Sequence, residues 1–258
     1  MTSDTPPPYL RADVTEVERH QIELLLGALA DDSLLRAVRD GRGLQFQRLE
    51  FLGDSVLDVV LAVHGWIEPE CPSCASNPAL SEASDAHLTE VAQRVGLGDW
   101  LEWRASPERI ADLVETCVAA CWLSGRWAQV TPFISSVIHP VGSPTTQALT
   151  GSNQGAPGRA ARRMASAVLE LAAAQGVYLA MPDADEGALS TARAGIHRAS
   201  AIASHARRIG KVGGRPVGGG DDDTVLSQVE DALAVVMARS GADACLAAAA
   251  QFVPVTSG

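Results

Sequence analysis

The sequence predicts an all-α protein built from one helical domain and a worn second copy of it. Three observations lead there. Hydrophobic residues make up 47% of the 258 residues but aromatics only 4%, and Ala and Leu dominate the apolar set, which favours packed helices over sheets. Acids recur in pairs at helical spacing inside apolar runs, Glu50 with Asp54 and Asp112 with Glu115. Segments of the second half follow those of the first in the same order, the mark of an internal repeat. The length suits one large or two small domains.

Residues 48–58, Arg-Leu-Glu-Phe-Leu-Gly-Asp-Ser-Val-Leu-Asp, are the most informative segment. The run reads as a buried helix, which brings Glu50 and Asp54 onto one face. Burying two carboxylates is costly unless a cation neutralises them. Leu49, Phe51, Leu52, Val56 and Leu57 cover the rest of the helix, while Gly53 allows another backbone to come close. The second pair lies in Ala111-Asp112-Leu113-Val114-Glu115-Thr116-Cys117-Val118-Ala119-Ala120, with Asp112 and Glu115 at i and i+3 of an apolar stretch. Four carboxylates on two packed helices suit hard divalent cations such as Mg²⁺. Two such ions about 4 Å apart can activate water and stabilise the leaving oxygen in phosphodiester hydrolysis. Taken singly, each pair is equally the exposed face of an amphipathic helix.

The wording of these segments resembles the ribonuclease III family. Residues 48–57 resemble its signature helix almost letter for letter, and Asp112-Leu-Val-Glu115, running on to Leu123 and Gly125, resembles its second catalytic helix. Between them Leu80-Ser81, Leu88 to Val95, and Gly96-Leu97-Gly98-Asp99-Trp100-Leu101 follow the family's middle segment in order and spacing. The resemblance spans roughly residues 10–140 and implies a ribonuclease III-like helical domain. It implies that Glu50, Asp54, Asp112 and Glu115 are the catalytic, metal-binding acids, holding Mg²⁺ for cleavage of double-stranded RNA, with Mn²⁺ as a substitute. One departure stands out. The family has Glu-Gly shortly before the Leu-Ser pair, and Asn77-Pro78 occupies that place here, which implies weaker binding of a second metal.

The remainder, residues 143–255, matches the first half piece by piece. Ala167-Val168-Leu169-Glu170-Leu171 follows Ser55 to Val59, and Ala188-Leu189-Ser190 follows Ala79 to Ser81. Arg208-Ile209-Gly210 follows Arg94 to Gly96, and Asp231 through Gly241 follows Glu115 through Gly125. Gln147-Ala148-Leu149-Thr150 resembles the family's segment ahead of its signature helix. On this alignment Arg162 stands at the place of Glu50, Ser166 at that of Asp54 and Gln228 at that of Asp112. Only Asp231 keeps an acid, opposite Glu115, and Glu186 retains the family acid that the first copy lacks. A guanidinium in place of a carboxylate puts fixed positive charge where a cation would sit, so no catalytic metal is expected in the second copy. The Gly-rich 151–158 and the stretch 212–223 read as loops.

Charge divides the same way. Up to residue 140 there are 10 Arg against 21 acids, a balance of −11; beyond it 10 basic and 10 acidic residues balance. Arg198, His205, Arg207, Arg208 and Lys211 lie close together in sequence and read either as an RNA-binding, phosphate-facing surface or as a solvated helix face. No segment after 140 resembles a separate double-stranded RNA-binding module, so RNA affinity should be modest, metal-dependent and salt-sensitive. Five cysteines without regular spacing point to a reducing cytoplasm. Cys71-x-x-Cys74, with His64 nearby, reads as a plain loop more readily than as a zinc site, since a second cysteine pair is missing. No uninterrupted apolar run reaches transmembrane length, and the N-terminus lacks a secretion-signal pattern.

These readings combine into a Mg²⁺-dependent endoribonuclease with one working site per chain, leaving 5′-phosphate and 3′-hydroxyl ends. The two copies are expected to pair within the chain, as a pseudo-dimer that cuts one strand of a duplex. Pairing of two chains through their first copies is the alternative. A different class of reading, a non-catalytic RNA-binding or scaffold protein on the same fold, is favoured by Asn77 and the degraded second half, and opposed by retention of all four core acids.

Overall fold

The computed structural model describes residues 14–28, 32–67, 85–97, 107–134, 159–212 and 214–253. The chain forms two compact units, one of Met1–Leu57 with Ala79–Gly142, the other of Asp58–Pro78 with Ser143–Gly258. The all-α expectation holds. Among the described residues the strands are confined to one hairpin of two-residue strands.

The first unit is organised around one buried helix. Helix α1 (Glu16–Ala28) starts in a capping box. The Thr15 Oγ1 accepts from the Glu18 amide at 3.3 Å, and the Thr15 amide donates back to Glu18 Oε2 at 3.0 Å, satisfying two otherwise orphaned donors. Glu18 also pairs with Arg94. Burial pushes the Glu18 carboxyl up, but the Arg94 guanidinium and the Thr15 hydrogen bonds outweigh it and hold the group below its usual range. Helix α2 (Asp32–Asp40), α3 (Leu44–Ile67) and α4 (Asp85–Val95) follow, and α4 stops where Gly96 takes φ +76°. Helix α5 (Pro107–Leu123) begins with proline at its first position, where no backbone hydrogen bond is forfeited. It ends at Gly125, φ +70°. Helices α1, α2, α4 and the short α6 (Trp127–Phe133) all pack on α5. Leu113, Val114 and Cys117 to Cys121 are accordingly buried.

Helix α3 meets α5 at backbone distance. A Cβ placed on Gly53 would stand 2.0 Å from the Glu115 carbonyl oxygen, so only glycine permits this crossing. This is the close approach that the sequence suggested at Gly53.

The second unit packs α7 (Arg159–Ala180) against α10 (Asp222–Ala250), with α8 (Glu186–Ile196) on α7 and α9 (Ala199–Ile209) on α10. Asp185 and Asp221 cap α8 and α10 by accepting from the Ala188 and Thr224 amides, both at 2.8 Å. Stretch 212–223, expected as a loop, contains the hairpin β1 (Lys211–Val212) and β2 (Arg215–Pro216), and the Asp221 cap already starts α10 at Asp222. Two glycines that the sequence alignment sets against Gly96 and Gly125 share their positive φ. Gly210 at the end of α9 has φ +76°, as Gly96 does, and Gly241 has φ +81° beside +70° at Gly125. Gly241 breaks α10 instead of ending it.

Helix α10 is long and apolar enough to cross a membrane by length and composition alone. Glu230 and Asp231 interrupt it, in keeping with the expectation that no uninterrupted apolar run reaches that length. Those charges, and the packing of α7 and α9 on its sides, mark α10 as the core helix of this unit. Cys71, Cys74, Asn77 and Pro78, like Leu80-Ser81, Gln147 to Thr150 and the Gly-rich 151–158, lie outside the described residues. Cys117, Cys121 and Cys245 are buried.

Gly53→Ala should therefore destabilise the protein by about 1–3 kcal/mol or more, the usual cost of overpacking a tight contact. Urea unfolding of the variant reads this directly, and an unchanged midpoint would place the two helices further apart.

Candidate active site

The crossing of α3 and α5 decides which acids meet. Glu50 and Asp54 flank Gly53 on α3, and Glu115 carries the carbonyl that Gly53 touches. Asp112 lies one turn before Glu115. The four sequence-nominated acids thus converge at one helix contact within the first unit. Glu115 is only 9% exposed. Burial pushes its carboxyl well above the usual 4.5, and the charges of Asp54, Glu50, Asp112 and Asp85 push it further in the same direction. Glu115 senses all three partners predicted from the sequence, together with Asp85.

Two participants were not singled out in the sequence. Asp85 opens α4, and the packing of α4 on α5 brings it within electrostatic range of Glu115. No local spacing announces that contact. Arg109 precedes Asp112 by three residues, so helical periodicity could have flagged it. Its Nη1 lies 3.5 Å from Asp112 Oδ2 and 4.0 Å from Glu50 Oε2, tying α5 to α3 by charge. The guanidinium also stands 5.8 Å from the centre of the buried Phe46 ring.

The donor chemistry suits a hard divalent cation. Burial first, and then the charges of the neighbouring acids, raise the Glu115 carboxyl. Glu50 Oε2 is buried, with Arg109 Nη1 4.0 Å away. The geometry is nonetheless that of a cluster closed by arginine. Among the described residues no group of three or more His, Cys, Asp or Glu is placed so as to hold a metal ion.

No family model matches the chain. Individual proteins do. The chain is 30% identical over 105 residues to "Ribonuclease 3" of Moorella thermoacetica, covering 36% of this chain and 45% of that one. It is 30% identical over 123 residues to "Ribonuclease 3" of Heliobacterium modesticaldum, covering 42% and 51%. It is 33% identical over 90 residues to that of Pseudothermotoga lettingae, covering 31% and 38%. Over these matched stretches the chain is similar to ribonuclease III proteins. It spans about half or less of the length of these curated relatives. The all-α architecture agrees with a ribonuclease III-like fold.

In the second unit, the residues aligned with the ribonuclease III acids have taken other tasks. Arg162 donates from Nε to Asp231 Oδ1 at 2.9 Å, an ion pair between α7 and α10. Burial raises the Glu230 carboxyl, Arg162 works against that, Asp231 adds to it, and a hydrogen bond from Ser166 lowers it. Gln228 accepts from the Gly218 amide at 2.7 Å, fastening the segment ahead of α10. Glu186 sits in the first turn of α8.

The basic residues do not form one cluster. Arg207 is held by Asp222 Oδ1 at 2.7 Å and the Gly220 carbonyl at 2.9 Å. Arg208 lies against the His205 ring, 2.6 Å from Nδ1. Burial and the Arg208 charge depress the His205 pKa, despite an opposing backbone hydrogen bond. Lys211 opens β1, exposed. Arg198, also exposed, precedes α9 at its other end, about 16 Å away at 1.5 Å per residue.

The raised Glu115 value sets a sign for pH dependence. A carboxyl raised on folding favours the folded state below its ordinary 4.5, and that contribution is lost as pH climbs through the raised value. In chelator, the melting temperature of Glu115→Gln should therefore gain on that of the parent as pH rises from acid to neutral. A difference independent of pH would remove Glu115 from the repulsive cluster.

Proposed function

We propose that this chain is a Mg²⁺-dependent endoribonuclease that cleaves double-stranded RNA, with one working site per chain. The observation that carries this is the meeting of Glu50, Asp54, Asp112 and Glu115 at one glycine-mediated helix crossing, in a chain related to ribonuclease III. Those four carboxylates would hold the metal, with Mn²⁺ as a substitute. Mg²⁺, when bound, supplies the charge that activates water for attack on a phosphodiester and stabilises the leaving oxygen.

The chain's own residues account for the rest. Gly53 sets the close spacing between the two acid-bearing helices. Burial and the neighbouring acids raise the Glu115 carboxyl, and a bound cation would offset that rise. Products would carry 5′-phosphate and 3′-hydroxyl ends. Cytoplasmic RNA processing is the setting we assign, without membrane attachment.

The single-site reading is supported by the second unit, where Arg162 already neutralises Asp231 and Gln228 is occupied with Gly218. We assign the unit, residues 143–255, as a degenerate ribonuclease III-like domain that pairs with the first, residues 10–140. Positive φ at both members of each aligned glycine pair supports that duplication. Arg198, Arg207, Arg208 and Lys211 are assigned to RNA contact, though Arg207 must give up Asp222 to take part.

Strand-labelled duplex RNA incubated with Mg²⁺ and monomeric protein should be nicked on one strand per event. Paired cuts from a strictly monomeric protein would refute the single-site assignment. Asp112→Asn should lower cleavage by more than about 100-fold, exceeding the usual loss from disturbing a group that merely supports a metal ligand. The second reading, a non-catalytic RNA-binding scaffold, is favoured by Arg109 sitting between Glu50 and Asp112. Under it neither Mg²⁺ nor Mn²⁺ binds at the acids, and calorimetry separates the two.

A further inference from the structure

The basic end of α9 contains a histidine to which the nuclease reading gives no task. We propose that His205 and Arg208 form a proton-linked site for a backbone phosphate of duplex RNA, filled more tightly as pH falls. The inference rests on the assignment of Arg208 to RNA contact above, and adds a second residue and a pH dependence to it.

Arg208 Nη2 stands 2.6 Å from Nδ1 of His205, one turn earlier on the same helix. A guanidinium only donates, so Nδ1 must accept, and the ring that accepts there is neutral. The other ring nitrogen is left to carry the proton. The ring hydrogen-bonds the backbone of Gln251, the residue that closes α10. Both ring nitrogens are thus engaged, one by an arginine of α9 and one by the end of α10.

Protonation removes the acceptor. Nδ1 and Nη2 become two donors on two cations at hydrogen-bond distance, with nothing between them to accept. An anionic oxygen satisfies both at once, and a phosphate offers several. Burial first, and then the Arg208 charge, hold the ring below its ordinary 6.5, so the pair stands closed at neutral pH. A phosphate beside the ring offsets the Arg208 charge and favours the protonated form. Uptake of phosphate and uptake of a proton by His205 therefore strengthen each other.

The surroundings favour an anion. Arg208 is exposed and His205 half-buried. Burial, the Arg208 charge and the uncharged Gln251 backbone are what act on the ring, and no acid of the described residues does. Arg207, on the same turn, is directed to Asp222 and the Gly220 carbonyl, so its charge is already met. Lys211, exposed just past the Gly210 cap, adds positive charge to this end of α9.

Fluorescence anisotropy with a labelled RNA duplex, on the full chain in chelator at constant ionic strength, measures the linkage. Between about pH 7.5 and about pH 5.5, where histidine changes charge, the affinity gain of the parent should exceed that of His205→Gln. The excess should be about three- to tenfold, the scale of roughly one half to one pKa unit. Arg208→Gln should bind more weakly at both pH values, with a salt dependence shallower by about one phosphate contact. In the parent, the NMR titration midpoint of the His205 ring should rise as duplex saturates the protein, a readout that needs no variant to fold. Equal gains for parent and His205→Gln, unchanged binding by Arg208→Gln, or a midpoint unmoved by duplex overturns the linked site and leaves the nuclease reading intact. A midpoint raised as far by inorganic phosphate, at the same phosphate concentration, overturns RNA as the ligand. Failure of the parent to bind duplex at either pH, with RNA uncut in Mg²⁺, overturns both readings.

Discussion

The contact between Gly53 and the Glu115 backbone is the constraint on which the first unit depends. Two helices whose backbones touch must carry no side chain at the crossing, and everything beside that crossing is forced together. Glu50 and Asp54 lie on one side of the contact and Asp112 and Glu115 on the other. The apolar remainder of both helices, from Leu49 to Leu61 and from Leu113 to Cys121, fills the surrounding core. Burial of that apolar surface is what makes the crossing stable enough to hold mutually repelling acids.

Such a cluster is electrostatically incomplete. Burial and the charges of the surrounding acids both raise the Glu115 carboxyl, and Arg109 lies against Asp112 and Glu50. The α3–α5 crossing therefore combines a rigid backbone contact with a cluster of charges. A site of this kind favours folding through its core and favours a ligand through its unmet charge.

The second unit resolves the same problem differently. Its two long helices also pack on each other, but Arg162 meets Asp231 directly, Ser166 bonds Glu230, and Gln228 secures Gly218. These contacts tie the helices and the segment ahead of α10 together.

The helical class could be read in the sequence, and helical spacing set Glu50 with Asp54 and Asp112 with Glu115 on shared helix faces, because apolar periodicity and i,i+3 or i,i+4 spacing are local properties of the chain. The role of Gly53 was legible for the same reason: a lone glycine in a buried helix implies a close neighbour. Which neighbour was not legible. That the glycine faces the Glu115 carbonyl, that Asp85 on α4 adds its charge, and that Arg109 bridges α5 to α3 depend on helices distant in sequence. The spread of the basic residues along α9, and the binding of Arg207 by Asp222, likewise emerged only from the fold. Spacing along a chain specifies the face on which a residue stands, whereas charge acts through space. Only the packing of one face on another determines which charges compensate and which repel.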